Sequence, residues 1–154
     1  MKELIAGLLS NFTFITVFIS GFLSQSIKVF LYRFEEKKWN LWHFFEAGGM
    51  PSSHSATVTA LTLGVALQLG WHTALFTACL VFGYIVIYDA MGVRRATGKQ
   101  AEILNKMVDD VYLDREVKVE KLKEIFGHDL HEVIAGVGLA ILVTLITYYV
   151  YFIR

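Results

Sequence analysis

The sequence has little cysteine, little proline and little charge. Of its 154 residues, one is cysteine and one is proline, and only 18% are Asp, Glu, Lys or Arg. The single cysteine, Cys79, excludes a disulfide framework, and its place inside an apolar run predicts a packing role. The low charge and a hydrophobic share of 55% are unusual for a soluble domain and ordinary for a small membrane protein.

The few charges leave three long runs without Asp, Glu, Lys or Arg, at residues 4–27, 47–88 and 133–153. A membrane-spanning helix needs about 20 predominantly apolar residues, so the outer runs each fit one span and the middle run fits two. The stretch "QLGWHT" is the natural hairpin inside the middle run. The sequence therefore predicts an all-α integral membrane helical bundle, a single domain of residues 1–154, with four spans near 5–27, 53–69, 73–91 and 133–152.

The basic residues predict how this bundle is oriented. Four spans put both termini on one side of the membrane, and only Lys2 and Arg154 of the 14 Lys and Arg residues lie there. The other twelve lie in the loops 28–52 and 92–131. Because cytoplasmic loops carry the excess of Lys and Arg, the loop side is expected to be cytoplasmic. We therefore expect a multi-pass protein of the cell membrane.

The first loop contains aromatic residues without a full-length span, in "WNLWHFF". Trp and Tyr are enriched at the depth of the lipid headgroups, so this segment is expected to be interfacial. His43, within it, is expected to be interfacial too.

The stretch "GGMPSSHSA", residues 48–56, opens the second predicted span. Proline suits the first helical position, and serine caps the exposed N–H groups. A helix N-terminus favours an anion, and glycines before it let backbone approach a ligand. With His54 in the first turn, the segment is typical of an anion site with a titratable group beside it. The alternative is a capped helix with an interfacial histidine.

The stretch "GHDLHEVIAG", residues 127–136, opens the fourth predicted span. His128 and Glu132 are four residues apart and therefore share one helical face. A carboxylate bound to one ring nitrogen fixes the tautomer and raises the nucleophilicity of the other nitrogen. The pair therefore predicts a nucleophile and the group that orients it. His131 points elsewhere and is the weaker candidate.

The predicted topology brings further polar residues to the same membrane face. Lys28 ends the first span, Asp89 lies at the end of the third span, and Arg94 and Arg95 follow that span. Arginine is suited to bidentate phosphate binding, although a carboxylate and two arginines at a helix end can also be an ordinary boundary cluster. Two histidines, carboxylates and several cations are thus expected to converge at one interface.

These residues carry a resemblance to a known family. Through "GGMPSSHSA", "YDAMGVRRATGKQAEILN" and "LKEIFGHDLHEVIAG", the chain resembles the divergent branch of the type 2 phosphatidic acid phosphatase family over nearly its whole length. The wider superfamily carries the motifs K-x6-R-P, P-S-G-H and S-R-x5-H-x3-D. In that family the last histidine attacks phosphorus and forms a phosphohistidine. The P-S-G-H histidine protonates the leaving oxygen, Lys and Arg hold the phosphoryl oxygens, and no metal is needed.

The resemblance implies roles for individual residues. His128 would be the nucleophile, Glu132 would stand for the aspartate of H-x3-D, and His54 would be the general acid. The residues implied for substrate binding are Lys28, Ser52, Ser53, Asp89, Arg94, Arg95 and Lys123. The sequence departs from the motifs at Leu122, where they have arginine, and at Glu35, seven residues after Lys28.

The expected function is metal-independent hydrolysis of a lipid phosphate monoester, with no cofactor. The expected partners are the lipid bilayer and a membrane lipid phosphate, with no nucleic acid; a homodimer is plausible for so small a bundle. Two alternatives stay open. The same anion site could bind a lipid phosphate in a non-enzymatic binding or transport protein, or the chain could be a structural membrane subunit with interfacial histidines.

The distribution of Lys and Arg predicts an outcome of cysteine labelling. With Cys79 replaced by Ser, a cysteine introduced at Glu36 or Glu116 should be shielded from membrane-impermeant thiol reagents in intact cells. A cysteine introduced beside Lys2 should react. Ready labelling at position 116 in intact cells would contradict the cytoplasmic orientation of the loops.

Overall fold

The computed structural model describes residues 1–46, 48–112 and 127–154, without the side chains of residues 93–96 and 109–112. These residues form six α-helices and one short 3₁₀ helix, Leu41–Phe44. The α-helices are α1 (Lys2–Leu9), α2 (Phe12–Glu36), α3 (Ser53–Leu69), α4 (Ala74–Met91), α5 (Val93–Tyr112) and α6 (Leu130–Phe152). The all-α membrane helical bundle expected from the sequence is confirmed.

Three of the described helices, α2, α4 and α6, are long and apolar enough to cross a membrane. Helix α3 has 17 residues, so its length of about 26 Å is at the short end of what a span requires. It lies between α2, α4 and α6, which pack around it. Helix α3 corresponds to the predicted second span, residues 53–69, and its crossing of the membrane stays a prediction.

The predicted first span, residues 5–27, is wrong in its bounds. The chain breaks at Ser10 and Asn11, and the long helix runs from Phe12 to Glu36. The reason is a cap: the side chain of Asn11 accepts a hydrogen bond of 3.0 Å from the backbone N–H of Phe14. Asparagine is among the preferred N-cap residues, and here it starts a new helix in the middle of an uncharged run.

Small and hydroxyl residues make the helix contacts of the bundle. Ala56 and Ala60 of α3 and Ala140 of α6 are fully buried against one another. Along α2 the buried positions repeat every four residues, at Phe12, Thr16, Ser20, Ser24 and Lys28. Small side chains let helix backbones approach closely in a membrane, where apolar area alone does not drive helices together.

The two ends of the bundle differ in chemistry. At one end, the Phe12 ring packs on Tyr148, Tyr151 and Phe152, and Thr13 donates a hydrogen bond of 2.9 Å to Gln68 beside the α3–α4 turn. Both chain termini and that turn therefore lie at this end. Because the helices run antiparallel, the opposite end holds the C-termini of α2 and α4 and the N-termini of α3 and α6.

Candidate active site

The residues His128 and Glu132 form the centre of the site, at the start of α6. Nδ1 of His128 lies 2.6 Å from Oε2 of Glu132. His128 precedes the first residue of α6 by two positions, and its backbone N–H donates a hydrogen bond of 3.0 Å to the carbonyl of Ala90 near the end of α4. This backbone bond, together with the carboxylate, holds the ring in place.

The second ring nitrogen of His128 is buried and available for chemistry. The residue is 2% exposed, and Nε2 has no hydrogen-bond partner within residues 1–46, 48–112 and 127–154. A carboxylate at Nδ1 favours the tautomer with its proton on Nδ1 and the lone pair on Nε2. The arrangement is that of a nucleophile or base whose reacting atom is shielded from water.

The second histidine is brought close by the first turn of α3. The His54 ring centroid lies 5.6 Å from that of His128, with an angle of 64° between the rings. Ser52 starts the helix: its hydroxyl accepts hydrogen bonds from the N–H and the hydroxyl of Ser55, at 3.3 and 3.1 Å. Ser52 is fully buried, so its hydroxyl caps α3, and the structure supports a positioning role for it.

Helix α6 crosses this first turn at very close range. The backbone N–H of Ser52 donates a hydrogen bond of 3.0 Å to the carbonyl of Glu132. Gly136, one turn further along α6, faces Ser52 and Ala56, and a Cβ at this position would collide with the Ser52 carbonyl oxygen. Only glycine allows the helices to approach so closely, and this contact fixes Glu132 relative to His54.

Lys28 lies on the α2 side of the site. It is 1% exposed, and its Nζ donates a hydrogen bond of 3.1 Å to the backbone carbonyl of Glu46. It lines a cavity of about 400 Å³ whose wall includes the carboxylates of Glu35 and Glu132. The cavity is lined by Lys28, Leu31, Tyr32, Glu35, Gly49, Met50, His131 and Glu132. Gly49 has a φ of +76°, and a Cβ there would lie 2.9 Å from the Tyr32 hydroxyl, so glycine keeps this wall open.

His54 and Ser53 line a different cavity, between α2, α3 and α4. Its volume is about 460 Å³, and it is lined by Gly21, Gln25, Ser53, His54, Thr57, Val58, Phe82 and Val86. The site therefore has a charged cavity beside Glu132 and a largely apolar one beside His54. A ligand with a charged head and an apolar tail has the same division.

Comparisons with known proteins identify the family of this chain. A sequence model of the divergent PAP2 family matches residues 9–143. The chain belongs to the divergent PAP2 family. It is 39% identical to the uncharacterized membrane protein YuiD of Bacillus subtilis strain 168, over 92% of this chain and 97% of that protein. No solved structure matches the chain significantly.

Most of the remaining predicted site residues of this divergent PAP2 protein have no described side chain. Asp89 is exposed near the end of α4. Arg94 and Arg95 lie in the first turn of α5, but their side chains are outside the described part. Lys123 lies outside the described residues altogether. Within the described residues, no group of three His, Cys, Asp or Glu side chains is placed to hold a metal ion.

The sequence did not predict the buried contacts of His43, including its stack on the ring of Tyr32. His43 was expected merely to be interfacial, yet it is 8% exposed and lies between the carboxylates of Glu46 and Glu36. Hydrogen bonds to Glu46, and then to Glu36, raise the pKa of His43 above its ordinary value. The spacing of three residues between His43 and Glu46 was the only sequence signal for these contacts, because Glu36 approaches the ring from the end of α2.

Gly136 provides a test of the contact between α3 and α6. Gly136→Ala should lower the free energy of unfolding by about 1–3 kcal/mol, because the new methyl group forces α6 away from Ser52. Gly138→Ala is the matched control: a Cβ there meets nothing within 4 Å, and alanine is the better helix former. Thermal unfolding in detergent measures both variants. Equal melting temperatures for the two would contradict the close approach.

Proposed function

We propose that this protein hydrolyses the phosphate monoester of a membrane lipid, without a metal ion, through a phosphohistidine intermediate. The observation that carries the proposal is the His128–Glu132 pair, which leaves a buried Nε2 without a partner among the described residues. A site that only binds phosphate needs donors, whereas this nitrogen, with its proton on Nδ1, offers a lone pair. Membership of the divergent PAP2 family supports the same reaction class.

The proposed reaction has two steps. Nε2 of His128 attacks phosphorus and forms a P–N bond, while the bond from phosphorus to the lipid oxygen breaks. His54 gives its proton to that oxygen, and the lipid leaves as an alcohol. Water then attacks the phosphorus of the phosphohistidine, with His54 accepting its proton. The P–N bond breaks, its electron pair returns to Nε2 of His128, and inorganic phosphate is released.

The proposed charge stabilisation comes from cations around the phosphoryl oxygens. Lys28 supplies one buried ammonium group beside Glu132. Arg94, Arg95 and Lys123 are the proposed further cations, since phosphoryl transfer depends mainly on positioning and charge stabilisation. The N-terminus of α3 at Ser53 adds backbone donors.

The proposed setting is the cytoplasmic face of the cell membrane, which is supported by the loop-side location of twelve of the 14 Lys and Arg residues. The bilayer supplies the lipid phosphate. The homodimer expected from the size of the bundle stays a prediction.

One observation favours a second candidate function, the binding or transport of a lipid phosphate without hydrolysis. Glu35 lines the cavity beside Lys28, at the position where the related motif carries an arginine. The cavity therefore has fewer described cations than a phosphatase of this type would use. Phosphate release, measured on the purified protein, separates the two candidates.

Single substitutions of the two histidines should separate their roles. His128→Ala should lower phosphate release by at least about a thousandfold on every substrate, because the attacking nitrogen is lost. His54→Ala should lower it by about 10²–10⁴-fold on an alkyl phosphate and much less on p-nitrophenyl phosphate, whose leaving group needs little protonation.

The matched control is His72→Ala, which removes an exposed histidine at the opposite end of the bundle. It should leave the rate unchanged. An equal loss for His54→Ala on both substrates would contradict the general-acid role. Lipid phosphate binding by the wild type without any phosphate release would support the binding protein instead.

Inhibitors should distinguish a histidine mechanism from a metal mechanism. Chelators should leave activity intact, and vanadate should inhibit, because five-coordinate vanadate on His128 resembles the transition state. Arg94→Lys or Arg95→Lys should weaken vanadate binding about tenfold, or about 1.4 kcal/mol, if that arginine holds the oxygens bidentately. Loss of activity in a chelator, with recovery in Mg²⁺ or Mn²⁺, would show that Asp89 and Glu132 act as metal ligands.

A further inference from the structure

Within the described residues, the side chain of Lys28 makes a hydrogen bond to one backbone carbonyl group. The residue is 1% exposed, and its Nζ donates to the backbone oxygen of Glu46 at 3.1 Å. An ammonium group has three donors, and this carbonyl is the hydrogen-bond acceptor that the described part of the chain gives it. Glu46 lies in the connection between α2 and α3, outside any helix. Whatever fixes Glu46 therefore also fixes Lys28.

Glu46 is fixed by the His43 ring. Nδ1 of His43 lies 2.7 Å from Oε2 of Glu46. Nε2 lies 3.0 Å from Oε1 of Glu36, at the end of α2, in an ion-pair contact less well aligned than the first. The ring also stacks on Tyr32 of α2, with centroids 4.3 Å apart. One imidazole thus ties the connection to α2 at two points, Tyr32 and Glu36, which lie about one and two turns beyond Lys28.

The contacts of this ring favour its charged form. A neutral imidazole has one nitrogen with a lone pair, which would here face a carboxylate oxygen, whereas both nitrogens of the charged ring donate. The groups facing the ring are Glu46 on its own segment and Glu36 and Tyr32 on α2. Hydrogen bonds to Glu46, then to Glu36, raise the pKa of His43 above the ordinary 6.5, and desolvation opposes them.

We propose that His43 is a positioning residue for Lys28. The protonated ring holds Glu36 and Glu46 together, and this His43 clasp (Glu36, His43 and Glu46) presents the Glu46 carbonyl to Nζ. Lys28 then points into the cavity that contains Glu132. What Lys28 holds there rests on the proposed function, whereas the clasp itself can be tested without any reaction.

The clasp has a defined pH dependence. The folded pKa of His43 is raised, so the clasp is complete below the unfolded value of about 6.5. It is lost as the pH rises through the folded value. Above that point the ring loses one donor, the carbonyl of Glu46 is released and Lys28 becomes more mobile. A purely structural histidine would give no such change in the state of a lysine elsewhere.

Acetylation of Lys28 measures this directly in the detergent-solubilised full chain, with N-hydroxysuccinimidyl acetate as the probe and mass spectrometry as the readout. The quantity compared is the acetylation rate of Lys28 in His43→Gln divided by that in the wild type at the same pH. The ratio should be about ten near pH 6, below the unfolded pKa, where only the wild type has the charged clasp. It should fall towards one at higher pH, where the wild type has lost the clasp too.

Glu36→Gln is the second variant, because Glu36 is partly exposed and its replacement leaves the stack on Tyr32 and the bond to Glu46 in place. It removes one of the two carboxylates that raise the pKa of His43. The pH at which Lys28 becomes reactive should therefore move down relative to the wild type. His72→Gln, at the opposite end of the bundle, is the matched control and should give a ratio of one at every pH.

A ratio of one at every pH for His43→Gln would overturn the proposal, and so would a raised ratio that does not change with pH. Phosphate release, measured in parallel, keeps the two proposals apart. The expected acetylation pattern without any phosphate release would refute the proposed function and leave the clasp standing. Phosphate release together with an acetylation ratio that does not change with pH would refute the clasp and leave the proposed function standing. If both proposals hold, His43→Gln should raise KM more than it lowers kcat, and the effect should disappear at high pH.

Discussion

The close approach of α6 to the first turn of α3 is the contact on which the site depends. It is made by backbone: the Ser52 N–H donates to the Glu132 carbonyl at 3.0 Å, and Gly136 has no side chain to collide with Ser52. Because Glu132 belongs to this contact, its carboxylate has a defined position from which to hold His128. Since His54 follows the same turn, the two rings meet at 5.6 Å. The proposed nucleophile and the proposed proton donor are thus placed by main-chain geometry rather than by flexible side chains.

The burial of Lys28 is a second constraint on the fold, besides the contact between α3 and α6. A charged group is costly to bury unless it is paired, yet Lys28 ends the stripe of small buried residues that packs α2 into the bundle. The cost is offset by the Glu46 carbonyl and by the nearby carboxylates of Glu132 and Glu46. The connection between α2 and α3 therefore holds Lys28 in the bundle, and its aromatic residues predict that it lies at the depth of the lipid headgroups.

Sequence periodicity and chain topology predicted the parts of this molecule that depend on local chemistry. Charge-free runs located α3, α4 and α6 and most of α2, but not α5, which lies in the predicted loop 92–131. Residues at helix ends predicted that His54 and His128 come together, because antiparallel spans bring alternate ends together. The start of α2 was misplaced because hydropathy does not register a single capping residue such as Asn11. The role of His43 was missed for a different reason. Its partner Glu36 and the Tyr32 ring belong to another element, and a connection without regular structure gives no period from which contacts can be predicted.

The charged side chains of the cavity indicate which further residues the proposed site needs. The cavity beside Glu132 is lined by Lys28 together with Glu35 and Glu132, so its described side chains do not by themselves neutralise a phosphate dianion. The proposed hydrolysis therefore requires further positive charge near Nε2 of His128. One residue, Gly92, separates α4 from α5, and the carbonyl of Ala90, at that same end of α4, holds the backbone of His128. Arg94 and Arg95 thus lie within a few residues of a direct tether to the proposed nucleophile, which makes the first turn of α5 the part of the chain on which the proposed hydrolysis, rather than binding alone, depends.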